Sequence, residues 1–284
     1  MASRKHNIKL SCTDFTFPLL PHEDSLSLIR MMGMDGVDVG VFGAGSHTRP
    51  RDVSANVPGV ARRLKAKLRR AGLEPADIYL IPGTERTLAP NHPEARTRRR
   101  SREMFKQVLE LTCRCGASHM SALPGMPWPN EPRGDALKRS AEELAWRVQQ
   151  AREVGVVFSI EPGIGSIVST PSQVQRLLKL TPGLTLTLDF SHFVAQGFSQ
   201  RDTEPLLEHA SHLHVRGARR RRKQASMKDN TIDHERIVRQ LKRLGYRGFI
   251  SFEFEYLDVD PGNEVDTLSE TLLLRDEVRK AMAK

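Results

Sequence analysis

Residues 184–190 read LTLTLDF, and this stretch decides the fold because its polar and apolar side chains alternate strictly as far as Asp189. A period of two residues is typical of a β-strand, whose successive side chains point to opposite faces of the sheet. Three more segments repeat the pattern, VVFSIE at 156–161, SHLHVRG at 211–217 and FISFEFEY at 249–256. The alternation predicts four strands that each bring a polar or ionisable side chain to the C-terminal end.

Outward from these segments, short aliphatic runs alternate with helical patterns, which is typical of βα units around a parallel sheet. Thr170, Pro171 and Gln173 predict a capping box at one helix start, and Asp233 opens a helix that Gly245 ends. Eight repeats over 284 residues fit a closed barrel better than an open sheet. We therefore predict an α/β fold, a single (β/α)8 TIM barrel over residues 1–284, with strands at 8–13, 36–42, 77–81, 118–123, 156–161, 184–189, 212–216 and 249–254.

The composition excludes some classes of protein and leaves others open. The chain has 44 Lys and Arg against 34 Asp and Glu, a net charge of +10 that favours an anionic partner, but much of the excess lies in local clusters at 62–70, 96–102 and 219–223. The first two clusters are expected to be solvated helix faces.

No window approaches eighteen apolar residues, and Met1 to Lys9 precede no apolar run of signal-peptide length, so membrane and secreted classes are excluded. Three cysteines without zinc or disulfide spacing indicate reduced thiols. We expect a cytoplasmic protein with no membrane partner. The sequence leaves its oligomeric state open, and a homo-oligomer is one of the alternatives.

Strand parity places four metal-capable side chains on one side of the predicted barrel. Residues of one parity point into a barrel, and the inward set includes Glu161, Asp189, His214 and Glu253 at the ends of four consecutive strands. Buried carboxylates that cluster without a cation repel one another and lose their solvation. The four together predict a divalent metal at the C-terminal face, where barrel enzymes keep their active sites. These oxygen-rich donors favour Mn²⁺, with Mg²⁺, Co²⁺ and Zn²⁺ as alternatives.

Motifs around these residues resemble those of the xylose isomerase-like barrel superfamily, the sugar phosphate isomerase/epimerase group. They are SIEPG at Glu161, LDFSHF with Asp189 and His192, LHVRG at His214, and LGYRGFISFE ending at Glu253. The resemblance covers essentially the whole barrel and is most specific from Glu161 onward. It implies a metal held by the four predicted ligands, with the two glutamates also acting as acid and base on opposite sides of a bound sugar. His192 matches a position that contacts substrate hydroxyls in epimerases or a second metal in nucleases.

Other residues are expected near the substrate or behind the ligands. Arg220 matches the position of a substrate-holding arginine in family epimerases, and Arg216 lies on the inward side of its strand. The segment 124–135 has four prolines and Trp128, and its length for a connection predicts a lid or binding loop with that tryptophan among the substrate contacts. His212 is expected one step deeper in the barrel, behind the ligand histidine.

The resemblance implies removal of a proton next to a carbonyl, with the metal stabilising the ene-diolate. We predict a metal-dependent isomerase or epimerase of a sugar, keto-sugar or sugar phosphate. A lyase or dehydratase acting on a 3-dehydroshikimate-like acid or a keto-glycoside is the alternative, because elimination shares the first step. The expected partner is a small carbohydrate or keto-acid.

Two further alternatives are disfavoured. A DNA-repair nuclease of the endonuclease IV type needs additional histidines at the ends of strands two, three and seven, and the chain lacks them there, so a nucleic-acid partner is not expected. A barrel that has lost activity and only binds a partner is disfavoured because all four ligand positions are filled.

Overall fold

The protein is a closed barrel of eight parallel strands. A computed structural model describes residues 8–82, 86–256 and 265–284, so most of the N-terminal segment considered above for a signal peptide lies outside the described residues. The strands follow one another around the barrel in sequence order, and β1 closes it by pairing with β8, Ser11 opposite Ser251. The predicted (β/α)8 fold is confirmed. The strands are β1 Lys9–Thr13, β2 Gly36–Val41, β3 Glu74–Leu80, β4 His119–Ala122, β5 Val157–Ile160, β6 Thr185–Asp189, β7 Ala210–Val215 and β8 Phe249–Phe252.

Helices cover the outside of the barrel. They are α1 His22–Met31, α2 Pro50–Ala55, α3 Val57–Ala71, α4 Ala95–Cys115, α5 Arg133–Glu153, α6 Pro171–Leu180, α7 Phe190–Ala195, α8 Gln200–Thr203, α9 His234–Leu244 and α10 Thr267–Ala283, with 3₁₀ turns at Asp14–Thr16 and Glu204–His209. Within the described ranges, none of these helices is long and apolar enough to span a membrane.

The helix boundaries read from the sequence are confirmed. Thr170 and Gln173 form the predicted capping box of α6. The Asp233 side chain accepts a hydrogen bond from the backbone of Arg236 at the start of α9, and Gly245 ends that helix in the left-handed conformation with φ 70°. Local side-chain chemistry therefore sets these helix ends before any tertiary contact is considered.

The core lies between strands and helices, and the barrel interior is polar. Outward side chains such as Val39, Ile78 and Leu186 are completely buried in the hydrophobic layer. Inside the barrel, the hydroxyls of Ser159 and Thr187 lie 2.6 Å apart, as the predicted inward parity requires. Parity along the strands therefore separates an apolar layer from a polar column that leads to the C-terminal face.

The predicted strands 156–161 and 249–254 end one and two residues earlier than expected, which leaves Glu161 and Glu253 just beyond β5 and β8. Their backbones still follow the barrel ladder, because the Glu161 amide donates to Ala122 O and the Glu253 amide donates to Val215 O, both at 3.0 Å. Each glutamate is therefore held at the rim by a main-chain hydrogen bond to the preceding strand.

The basic clusters at 62–70 and 96–102 lie on helices α3 and α4. In the first, Leu64 and Leu68 are buried while Arg62 and Arg69 are exposed, which is the expected solvated helix face. In the second, Arg102 donates two hydrogen bonds of 2.9 Å to Glu143 of α5. The arginines of the first cluster therefore lie on the solvent-exposed face of α3, and Arg102 of the second cluster connects α4 to α5.

Candidate metal centre and active site

Four strand ends bring the predicted metal ligands to the C-terminal rim. Glu161 follows β5, Asp189 ends β6, His214 lies in β7 and Glu253 follows β8. Their exposures are 4%, 1%, 0% and 2%, so all four ionisable groups are removed from water. Burial of this many charges is expensive unless they compensate one another or share a cation.

His214 lies between the two glutamates. Its Nδ1 is 2.8 Å from Glu161 Oε1 and 3.2 Å from Glu253 Oε2. One donor atom from each of these three residues lies within 4.8 Å of the others, so they form a group that could hold a metal ion. The imidazole therefore joins the two glutamates into one centre.

Asp189 belongs to a second, overlapping group with Glu161 and His192. It accepts hydrogen bonds from the backbone and hydroxyl of Ser191, at 2.8 and 2.7 Å, and so caps α7, which carries His192. The sequence D-x-x-H thus puts a capping carboxylate and a histidine on one rim. Among the described residues, no single group within that reach contains all four predicted ligands, so the structure brings them together as two triads that share Glu161.

Arg216 connects the two triads. Its Nη2 donates to Asp189 Oδ2 at 2.8 Å and also to Glu253, and its Nη1 donates to Glu255 Oε2 at 2.8 Å. The side chain is 1% exposed. Arg216 therefore neutralises carboxylates within the cluster, in addition to its predicted place near the substrate.

The two glutamates differ in pKa. Burial raises the pKa of both carboxyl groups, but at Glu161 the charge and hydrogen bond of His214 outweigh burial and lower the pKa to about 2. At Glu253, burial and the charge of Glu161 outweigh Arg216 and His214 and raise the pKa to about 7. A pair of carboxyl groups with divergent pKa values is how one site supplies both a base and an acid.

The sequence did not single out Tyr79 of β3, which contacts two of the predicted ligands. Its hydroxyl donates a 2.6 Å hydrogen bond to Glu161 Oε2, and its ring meets the His214 ring edge-on at 5.7 Å between centroids. Burial and the charges of Glu161 and Glu253 raise the pKa of Tyr79 well above its usual value, so the phenol keeps its proton. The parity of EPADIYL, which puts Tyr79 on the same side as Asp77, could have revealed it.

Asp38 of β2 was missed as well. Its Oδ2 lies 2.6 Å from His212 Nε2 and 3.2 Å from His214 Nε2. Burial raises the pKa of this carboxyl, but the charge of His212 and the hydrogen bonds of both histidines outweigh burial and hold it below the usual range. A lone acid inside the buried run GVDVGV was the available signal.

A cavity opens above this cluster with an empty volume of about 660 Å³. One part of the wall is aromatic or aliphatic and another part is charged. The lining residues include Phe15, Phe42, Tyr79, Glu161, His192, Arg216, Lys223, Glu253 and Glu255.

Comparisons with known proteins agree with this architecture. A family model described as xylose isomerase-like TIM barrel matches residues 26–276. The chain belongs to the xylose isomerase-like TIM barrel family. A comparison of the sequence with curated proteins gives no significant match.

Solved structures similar to this family member include two sugar epimerases and a dehydratase. D-psicose 3-epimerase from Clostridium cellulolyticum H10 has a TM-score of 0.75 and 14% identity, over 97% of this chain and 99% of that chain. L-ribulose 3-epimerase has a TM-score of 0.73 and 17% identity, over 97% and 96%. The probable 3-DHS dehydratase AsbF from Bacillus anthracis has a TM-score of 0.70 and 14% identity, over 94% and 99%. Identities this low show the shared fold alone.

Of the residues predicted to contact substrate, this family member places His192 and Arg216 on the cavity wall. His192 Nδ1 accepts a 3.2 Å hydrogen bond from the Ile164 amide, and burial lowers the pKa of the imidazole. Because Nδ1 faces the Ile164 amide, the other ring nitrogen, Nε2, faces the carboxylates and lies 3.8 Å from Asp189 Oδ2.

Trp128 and Arg220 do not line the cavity. The Trp128 indole donates to Asn91 O at 3.1 Å, and its ring packs edge-on against His92. Arg220 is exposed and extends over Gly197. Both residues were predicted to contact substrate, but neither lies on the cavity wall.

Parts of the predicted loop 124–135 and of the basic cluster 219–223 do reach the cavity. In the segment 124–135, Met126 lines the wall and is anchored through both its backbone amide and its carbonyl to the Asn91 side chain, at 2.9 and 2.8 Å. In the run 219–223, Lys223 reaches the cavity and donates a 2.9 Å hydrogen bond to Glu255. The proline-rich segment therefore contributes a fixed wall, and the basic run contributes its last residue.

Proposed function

We propose that this protein is a metal-dependent isomerase or epimerase that moves a proton on a small sugar, keto-sugar or sugar phosphate. The observation that carries the proposal is that Glu161 and Glu253 lie 2.8 and 3.2 Å from Nδ1 of His214, on the wall of one cavity. Two carboxyl groups that approach one bound molecule from different sides can remove and return a proton.

The residues present fit a divalent cation. Three carboxylates and one imidazole are hard, oxygen-rich donors. They are divided between the two triads, and within each triad the donor atoms lie within 4.8 Å of one another. Glu161, Asp189, His214 and Glu253 would hold the ion, for which Mn²⁺ is the first choice and Mg²⁺, Co²⁺ and Zn²⁺ are the alternatives. When bound, the cation supplies Lewis-acid stabilisation of negative charge on adjacent substrate oxygens.

The chain's own residues supply the proton transfer. Glu161 is held ionised beside His214, so it accepts the proton from the carbon next to the substrate carbonyl. Glu253 delivers a proton from the other side, to a different face for epimerisation or a different carbon for isomerisation. Tyr79 holds Glu161 Oε2 by its hydrogen bond, and Phe15 and Phe42 exclude water from that side of the cavity.

Elimination is a second candidate, and Tyr79 is the observation that favours it. Its hydroxyl lies 2.6 Å from Oε2 of Glu161, the proposed base, so the proton that Glu161 removes in the same first step could pass through Tyr79 to a departing hydroxyl. Arg216 and Lys223 on the cavity wall would pair with the carboxylate of a shikimate-like acid. The two candidates differ in whether the substrate keeps all its oxygen atoms.

Solvent exchange tests the proposal. The protein is incubated with Mn²⁺ in D₂O against a panel of ketoses, their phosphates and cyclic keto-acids, and each product is examined by NMR and mass spectrometry. We expect one deuterium at the carbon next to the carbonyl and no loss of water. A conjugated product that has lost water would select elimination instead.

Two variants show whether the proposed base is responsible. Glu161→Gln keeps the shape of the side chain and removes the base, so deuterium incorporation is expected to disappear. Glu143→Gln is the matched control, because Glu143 is also a buried, ion-paired glutamate but lies in α5, bonded to Arg102 and Arg147. Equal incorporation by Glu161→Gln and the wild type would contradict the proposal.

A further inference from the structure

Asp38 occupies the barrel interior directly below the candidate metal centre. It lies in β2, its side chain is fully buried, and it faces His212 and His214 across the barrel from β7. One oxygen, Oδ2, contacts Nε2 of both rings, at 2.6 and 3.2 Å. Neither the family match nor the proposed proton transfer assigns it a role.

Both ring nitrogens of His214 are engaged, and at opposite ends. Nε2 meets Asp38, while Nδ1 lies 2.8 Å from Glu161 Oε1 and 3.2 Å from Glu253 Oε2. An ionised carboxylate only accepts hydrogen bonds, so in the metal-free site either ring nitrogen can donate to the carboxylate that it meets. A cation between the two glutamates would take the lone pair of Nδ1, which would leave the ring hydrogen on Nε2, where Asp38 accepts it.

We propose that Asp38 is a positioning residue of the metal centre: by accepting the Nε2 hydrogen of His214, it keeps Nδ1 as the nitrogen offered to a cation between Glu161 and Glu253. The proposal rests on the proposed function in that a divalent cation binds there. Carboxylates that accept the second ring hydrogen of a ligand histidine fix its tautomer and raise its basicity.

The surroundings of His214 restrict the ring to this orientation. The rings of Tyr79 and His212 stand nearly perpendicular to it, at interplanar angles of 88° and 85°. The His214 ring has 0% exposure, so a flip would have to displace these neighbours. Asp38 is thus the group that decides which nitrogen holds the hydrogen, while the aromatic neighbours hold the plane of the ring.

The barrel contains a matched control pair. Asp77 of β3 is also fully buried, and its Oδ1 lies 2.7 Å from His119 Nδ1. The other nitrogen of His119 meets the hydroxyl of Ser211 at 2.8 Å, so neither ring nitrogen of this histidine contacts a predicted metal ligand. Asp77→Asn therefore disturbs a buried aspartate–histidine pair without touching a predicted ligand.

The test is the affinity of purified Asp38→Asn and Asp77→Asn for Mn²⁺, measured by the EPR signal of free Mn²⁺ during titration. We expect Asp38→Asn to bind about 10- to 100-fold more weakly than the wild type and Asp77→Asn to stay within about threefold of it. Circular dichroism and thermal unfolding confirm that each variant is folded. A folded Asp38→Asn with wild-type affinity overturns the positioning role.

Two further measurements separate the possible failures. If Glu253→Gln loses Mn²⁺ binding while Asp38→Asn keeps it, the positioning role is wrong and the metal centre stands. If the wild type binds no Mn²⁺, the proposed function fails and the positioning role fails with it. Nitrogen-15 NMR of the Zn²⁺-loaded wild type reads the tautomer directly: hydrogen on Nε2 of His214 supports the proposal, and hydrogen on Nδ1 overturns it even if Asp38→Asn does not fold.

Discussion

Replacing Arg216 by methionine tests the charge balance of the site most directly. The guanidinium is 1% exposed and pairs with Asp189 at 2.8 Å and with Glu253, both at most 2% exposed. Methionine keeps much of the volume and removes the charge. Without it, two buried carboxylates lose a shared cation, so we expect the metal-free variant to be strongly destabilised.

The magnitude follows from the burial of the pair. Removing one partner of a buried ion pair costs about 3–5 kcal/mol, because the remaining charge is left uncompensated in a medium that solvates it poorly. At roughly 2–4 °C per kcal/mol for a chain of this size, the melting temperature in EDTA should fall by about 6–20 °C. Protonation of Glu253 would remove one of the two uncompensated charges, so the fall in melting temperature would then lie near the lower end of this range.

The assay compares unfolding in EDTA with unfolding in excess Mn²⁺. A cation held by Asp189 and Glu253 replaces the missing charge, and at a concentration about 100 times its dissociation constant it stabilises the folded state by about 2.7 kcal/mol. We expect Mn²⁺ to raise the melting temperature of Arg216→Met more than that of the wild type, since Arg216 no longer competes for the same carboxylates.

The control is Arg147→Met, which removes another buried arginine, bonded to Glu143 and Ser101 away from the site. It should be destabilised in EDTA, but Mn²⁺ should not raise its melting temperature beyond the increase of the wild type. Two results would refute the reasoning. One is a metal-free Arg216→Met within about 1 kcal/mol of the wild type, below the range for a broken buried pair. The other is equal Mn²⁺ stabilisation of both variants.

Two further predictions concern Tyr79 and His234. Tyr79→Phe removes a hydrogen bond to a charged group, worth about 1.5–3 kcal/mol, so kcat/KM for the substrate found in the panel should fall by about 10- to 100-fold, measured by steady-state kinetics with unchanged circular dichroism. An unchanged kcat/KM would show that Glu161 needs no such support. His234 is buried in α9, and burial lowers its pKa from 6.5 to about 4. The unfolded state therefore binds the extra proton between these pH values, so stability falls as the pH drops from 6.5 to 4, by about 3 kcal/mol more in the wild type than in His234→Gln. Urea unfolding across this pH range measures the difference, and parallel curves for the two proteins would contradict the assignment.

Strand alternation and helix capping were readable from the sequence because both are local. The period of two in LTLTLDF predicts which side chains share a face of the strand, and the capping box at Thr170 depends on residues only three apart. Eight such units predict a barrel, and parity within its last four strands predicts that Glu161 and Glu253 reach one rim.

Residues that barrel closure brings to the site from distant strands could not be predicted from the sequence in this way. Tyr79 reaches Glu161 from 82 positions away, and Asp38 reaches His214 from 176 positions away. Nothing in the alternation of one strand specifies which residue of a distant strand lies opposite, because that depends on how the strands are staggered when the barrel closes.

The sequence by itself determined the fold, the inward parity of the predicted ligands and the ends of several helices, since these follow from backbone periodicity and short-range hydrogen bonds. Only the tertiary structure decided that Arg216 lies between Asp189 and Glu253, that Lys223 pairs with Glu255 at the cavity, and that Trp128 bonds to Asn91 outside it. The physical reason is that a long side chain can reach several partners from the same backbone position. Burial and charge from other strands select the partner that is bound.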